Sequence, residues 1–111
     1  MNLQEKQLGQ LRPANTTAAS LYSPAANLTG IAKNLVVSNT TAILATFRVF
    51  VDDDGTTYDE TTALFFDVPL LGNTTVLIDM YSAMNDPTGN FAVRTDTANA
   101  LTFTLFGAEI T

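Results

Sequence analysis

Residues 42–55 read AILATFRVFVDDDG, and the fold turns on how that stretch is taken. Ala45, Phe47, Val49 and Val51 alternate with Thr46, Arg48 and Phe50, and side chains at period two place one set on each face of an extended chain. Residues 42–51 therefore read as a β-strand with one face toward a core. The strand runs into Asp52-Asp53-Asp54-Gly55. Asp-Gly between two alternating stretches signals a hairpin turn, because Gly accepts the positive φ that tight hairpins demand and Asp tolerates it.

The pattern recurs on both sides. Leu21-Tyr22 is a short strand closed by Ser23-Pro24, and residues 31–38 form a strand around the Leu35-Val36-Val37 run. Downstream, residues 61–68 stop at Pro69, and residues 75–81 alternate Val76, Ile78 and Met80 with Leu77, Asp79 and Tyr81. Residues 91–95 follow a loop at 85–90, and residues 101–106 precede Gly107, expected to mark a bulge. Seven to eight short strands without a convincing helix predict an all-β antiparallel β-sandwich, jelly-roll or immunoglobulin-like in topology. Residues 1–18 lack this alternation, hold Gly9 and Pro13, and read as an extended polar N-terminal arm, leaving 19–111 as the sandwich domain. A helix over 3–11 would bring Leu3, Leu8 and Leu11 roughly to one face, but two turns are marginal alone.

Composition narrows the function. At 111 residues with 46% hydrophobic and 14% charged side chains, the chain fits one globular domain. No apolar run approaches the ~20 residues of a membrane span, and the N-terminus lacks the apolar core of a secretory signal. Without cysteine there are no disulfides or thiolate zinc sites, so stability falls to packing, strand pairing or association. Without histidine or tryptophan, the commonest general base and transition-metal ligand and the largest sugar-stacking platform are missing. A net charge of −6, with Lys6, Arg12, Lys33, Arg48 and Arg94 scattered, disfavours nucleic acid. The sequons at Asn15, Asn27, Asn39 and Asn73 read as Asn- and Thr-rich turns.

The aspartates are the one chemical candidate. An EF-hand with Gly55 at loop position six would put Phe50 first and Thr61 twelfth, where carboxylates are required. A looser calcium site from Asp52, Asp54, Asp59 and Glu60 is chemically allowed, yet a solvated turn accounts for the same residues. Paired-carboxylate catalysis needs one acid in an apolar pocket, which a solvated hairpin tip does not offer. No metal, cofactor or catalytic residue is expected. Arg48 and Arg94 are expected to pair with strand aspartates such as Asp67 and Asp79, and Tyr22, Tyr58 and Tyr81 to serve packing before sugar binding. Phe50, Leu77, Tyr81 and Phe106 fall on the outward face, where a cluster would mark association.

Taken in order, Leu21-Tyr22-Ser23-Pro24-Ala25, then IAKNLVVSNT at 31–40, ATFRVFVDDDG at 45–55 and FTLFGAEI at 103–110 resemble small bacteriophage virion structural proteins. The resemblance covers most of the chain beyond residue 20. It implies a non-enzymatic β-sandwich of the virion: a capsid cement or decoration protein that binds capsomer junctions on the outer surface of the head and stabilises it. It is expected to be made in the host cytoplasm. The alternative is a small tail or baseplate protein acting as a receptor- or carbohydrate-binding module through the loops at 52–60 and 85–90. The expected partners are the major capsid protein and further copies of the chain, a homotrimer being favoured, with neither nucleic acid nor membrane. The expected contact residues are Leu3, Leu8, Leu11 and Arg12 on the arm, and Phe50, Tyr81 and Phe106 on the body.

Overall fold

The computed structural model describes residues 2–111, and among them it contains strands and no helix. In chain order these are β1 (Leu3–Leu11), β2 (Ala19–Tyr22), β3 (Thr29–Asn39), β4 (Ala45–Asp52), β5 (Ala63–Leu70), β6 (Thr75–Met84), β7 (Asn90–Thr95) and β8 (Leu101–Ile110). They form two four-stranded sheets, ordered β1-β8-β3-β6 and β2-β7-β4-β5, with every pairing antiparallel. The first partners the last, the second the seventh, the third the sixth and the fourth the fifth. That is a long antiparallel hairpin rolled up until β8 meets β3 and β7 meets β4, which is a jelly roll. An immunoglobulin-like sandwich keeps its first two strands as neighbours in one sheet. Here β1 and β2 lie in opposite sheets, so that alternative is excluded.

The two inner faces meet over a core of aliphatic and aromatic side chains, among them Leu35, Val37, Phe47, Val49, Phe103 and Leu105, all essentially inaccessible to water. Phe47 of β4 and Phe103 of β8 join the sheets edge to face, with centroids 6.1 Å apart. Burying one such ring contributes roughly 2–3 kcal/mol, and the edge-to-face geometry adds about 1 kcal/mol more.

The expected N-terminal arm is extended, but it is not detached. Residues 3–11 are β1, paired along β8 from Leu3↔Ile110 to Leu11↔Phe103. Leu8 and Leu11 pack against the core, and Gly9 lets the Leu21 carbonyl come close. Pro69 does not end β5 either: it pairs with Thr46. An edge strand tolerates a missing N–H where that position faces solvent. The expected tight turn at Asp54-Gly55 is instead a long loop over residues 53–62, and no glycine among the described residues has positive φ. The left-handed positions are taken by Asn27, Asp67, Asn73 and Asn99, and Asn and Asp are the non-glycine residues that enter that region most readily.

β8 runs unbroken through Gly107. The irregularity lies in its neighbours: Lys33 of β3 and Leu8 of β1 are extra residues with no partner on β8. β6 in turn places Met80 and Tyr81 against Lys33 alone. A side chain at Gly107 would strike the Ile31 carbonyl oxygen and crowd Leu8. Gly107→Ala is therefore expected to lower unfolding stability by about 2 kcal/mol or more in denaturant titrations, in the range of overpacking changes. An unchanged midpoint would contradict this account of the sheet.

Candidate functional site

Successive strands run from one end of the 45 × 25 × 20 Å body to the other, so the loops sort into two sets. Loops 23–28, 53–62 and 85–89 meet at one end, and loops 12–18, 40–44, 71–74 and 96–100 at the other.

The first end is acidic. Asp52, at the close of β4, is buried, and its carboxylate accepts the backbone N–H groups of Asp54 at 3.2 Å and Thr57 at 2.9 Å. The N–H groups of Thr57 and Asp54 hold the Asp52 carboxyl below its ordinary range. Asp54 is pushed the other way, chiefly by the adjacent Asp52 carboxylate, with Asp86 and Asp53 adding to the repulsion. Asn90 ties the loops together, donating to the Gly55 carbonyl at 2.9 Å and accepting from the Ser20 hydroxyl at 2.6 Å. Gly89 packs on the Asp52 and Asp53 backbone. The loops proposed for receptor binding are thus adjacent. Among the described residues, however, no three of these carboxylates are arranged to hold a metal ion. Asp52 is spent on its turn, while Asp53, Asp54, Asp59 and Glu60 are exposed.

The opposite end exposes three large apolar side chains among polar loop residues, with Arg12 and Asp96 cancelling in charge. Ile43 and Leu44 on the 40–44 loop are 75% and 47% exposed, and Leu71 on the β5–β6 turn is 65% exposed. Buried Asn39 fixes the two loops to each other: its amide donates to the Ile43 carbonyl at 2.9 Å and the Leu70 carbonyl at 3.0 Å. Its carbonyl accepts from the Thr41 N–H, and Asn73 N–H donates to the Thr41 carbonyl at 2.8 Å. Gly72 lies so close to Ala42 that no side chain would fit between them. Arg12, expected to reach a neighbouring molecule, donates to the Asn99 carbonyl and the Thr40 hydroxyl of its own chain and stays exposed.

Charge follows the same division. Asp52, Asp53, Asp54, Asp59, Glu60 and Asp86 all sit at the acidic end, on loops that carry no lysine or arginine. The remaining five carboxylates, Glu5, Asp67, Asp79, Asp96 and Glu109, equal the five cations in number, so the acidic end accounts for the whole formal charge of −6. Several of the others are joined directly, Lys6 to Glu109 at 2.7 Å, Lys33 to Glu5 at 2.6 Å and Arg48 to Asp67 at 2.6 Å. The Arg48 guanidinium holds the Asp67 carboxyl below its ordinary range and also lies 3.8 Å over the Phe66 ring. Lys6 does the same for Glu109, which also accepts the Tyr22 hydroxyl at 2.8 Å.

The sheet faces offer less. Tyr81 and Leu77 stand exposed on β6 and Phe106 on β8, but they surround a hydrogen-bonded Asn34–Asp79 pair and do not merge into one patch. Beside Phe106 lies an open depression of about 330 Å³, lined by Glu5, Lys6, Gln7, Lys33 and Asn34 and crossed by the Lys33–Glu5 ion pair. Phe50 does point away from the core cluster, yet it is only 1% exposed, with the Tyr58 ring 6.1 Å away on the 53–62 loop. It is not available for oligomer contact. Leu3 is exposed. The three tyrosines are dispersed, and Arg94 donates to the Thr16 carbonyl rather than to a strand aspartate. All four sequon asparagines serve turns: Asn27 and Asn73 through positive φ, Asn15 and Asn39 by accepting the N–H two residues on.

No known protein family and no curated protein sequence matches the chain. Similar solved structures include those of infectious bursal disease virus strains Gx and Gt. For the Gx strain the TM-score is 0.49 at 14% identity, over 97% of this chain and 32% of the other. For the Gt strain it is 0.43 at 13% identity, over 97% and 28%. The chain spans about a third of the length of those chains, and neither likeness bears on what this protein does.

The crowding at the acidic end has a measurable consequence. A carboxyl whose folded pKa is raised destabilises the fold above that pKa, and the effect disappears below the unfolded value. Asp54→Asn should therefore raise Tm at pH 7 and leave it unchanged well below the ordinary 3.8. An equal shift at both pH values, or none at neutral pH, would contradict the repulsion.

Proposed function

We propose that this chain is a non-enzymatic virion structural protein, most specifically a bacteriophage capsid decoration protein that sits on the outer surface of the head and bridges capsomers. The observation that carries the proposal is the segregation of the body into an end of no net charge with exposed Ile43, Leu44 and Leu71 and an end with the entire net charge. Such a body has one end suited to burial against a protein surface and one suited to water. Like-charged ends pointing outward also keep decorated particles from associating. The ordered resemblance to small phage virion proteins supports the same reading.

Lateral association of copies, a trimer being the simplest closed form, is proposed to use Tyr81 and Phe106 on the outer face of the first sheet. Several weak attachments held in one oligomer would then add by avidity. A second reading, a tail-tip binding module, draws on the adjacency of the 53–62 and 85–89 loops through Asn90 and Gly89.

Quantitative mass spectrometry of purified virions separates the two. A copy number comparable to that of the major capsid protein is expected for a decoration protein. A handful of copies per particle would overturn it in favour of the tail.

A further inference from the structure

We infer that β6 pairs antiparallel with β6 of a second copy over residues 75–79, with Leu77 on the two-fold axis, joining two four-stranded sheets into one. This goes beyond the virion reading and does not depend on it. Of the four sheet edges, three are poor templates for another strand. β1 presents Glu5, Lys6 and the extra residue Leu8, β2 has only four residues, and β5 holds Pro69 and left-handed Asp67. β6 is ten residues long without proline, glycine or a cation, and none of its residues has positive φ. Its register with β3 breaks only opposite Lys33, at Met80 and Tyr81, so Thr75 to Asp79 pair in unbroken order with Ser38 to Asn34. Alternate N–H and C=O groups of that stretch point away from β3. Among the described residues no other backbone group meets them.

What such an edge recognises is an extended chain, because only a strand repeats donors and acceptors at the same spacing. The segment Thr75-Val76-Leu77-Ile78-Asp79 is complementary to itself in that role. About a two-fold at Leu77, Leu77 meets Leu77 of the second copy, and Thr75 faces Asp79 on the exposed side. Val76 meets Ile78 on the inner side, where both pack on the core yet are only partly buried, in contrast to fully buried Leu35 and Val37 of β3. The pair thus continues the core sideways across the seam. An axis at Asp79 would set two carboxylates directly opposite each other, which like charges disfavour. Charge on the larger scale favours the same arrangement. Residue 75 lies at the end away from the acidic loops, so antiparallel pairing there sends the six unbalanced carboxylates of each copy to opposite extremities of a pair longer than one 45 Å body. They are then several Debye lengths apart, one such length being about 8 Å at physiological salt. Copies standing the same way up on a shell cannot be paired in this way, so the pair is the form of the free protein.

The test is sedimentation equilibrium of the full chain as wild type, as Leu77→Glu and, as a control on the same face two strands in from the edge, as Phe106→Ser. All three should share one circular dichroism spectrum, because both altered side chains are exposed. Wild type is expected to sediment as a dimer. Leu77→Glu sets two glutamates opposite each other beside Asp79 and is expected to raise the dimer dissociation constant by about ten-fold or more, while Phe106→Ser leaves it unchanged. Hydrogen exchange on wild type needs no variant: amides within 75–79 should gain protection as concentration rises, and those of β1, the other edge of the sheet, should not. A monomeric or trimeric wild type would overturn the inference and leave the virion assignment standing. Equal weakening by Phe106→Ser would overturn it in favour of contact through the sheet face. Exchange at 75–79 that ignores concentration would overturn it even if Leu77→Glu failed to fold.

Discussion

β8 is hydrogen-bonded on both sides, to β1 along one edge and β3 along the other, and this double pairing closes the roll. Its inward residues Leu101, Phe103 and Leu105 are fully buried, and Phe103 reaches across to Phe47 of the opposite sheet. The absence of a side chain at Gly107 allows the Ile31 backbone to lie close where β1 and β3 each carry an extra residue. β-Bulges of this kind sharpen local twist and re-aim side chains. They act here at the level of Lys33, Phe106 and Tyr81, beside the depression crossed by the Lys33–Glu5 ion pair.

The edges show how the fold limits unwanted pairing. β5 is an outer strand with Leu64 and Phe66 exposed, a combination that invites edge-to-edge aggregation. It also carries Pro69 and an irregular register opposite Arg48, where Asp67 takes φ 53° and is held by the guanidinium through both carboxylate oxygens. A strained residue of this kind costs of order 1 kcal/mol or more and persists where its surroundings fix it. The strain falls on an edge where an interrupted ladder is useful. Strand addition at this edge is disfavoured as a result.

Most of the sandwich was legible because its strands alternate. β3, β4, β6, β7 and β8 fall within a few residues of the stretches that periodicity marks. β1 was not legible: LQEKQLGQL spends its alternation on polar residues at a sheet edge, and only Leu8 and Leu11 reach the core. The outward direction of Phe50 followed from alternation, but its burial did not, because the cover comes from a loop whose path the sequence does not announce. The apolar side chains of the opposite end were hidden for a related reason. Ile43 and Leu44 look like the start of a strand, whereas β4 begins at Ala45, after a loop held by Asn39 from the preceding strand. The one local clue was Leu70-Leu71-Gly72-Asn73, a turn containing a leucine that the core does not need. The segregation of charge was present in the sequence all along, but only the strand directions reveal that Asp52 to Glu60 and Asp86 share an end.

That polarity makes a geometric demand on any assembly containing the protein. A cryo-EM reconstruction of virions carrying it would test the demand directly. The account predicts a radially standing domain at each occupied site, with the 40–44 and 71–74 loops at the shell and the 53–62 loop outermost. A domain lying flat on either sheet face, or standing with its acidic end against the shell, would contradict it.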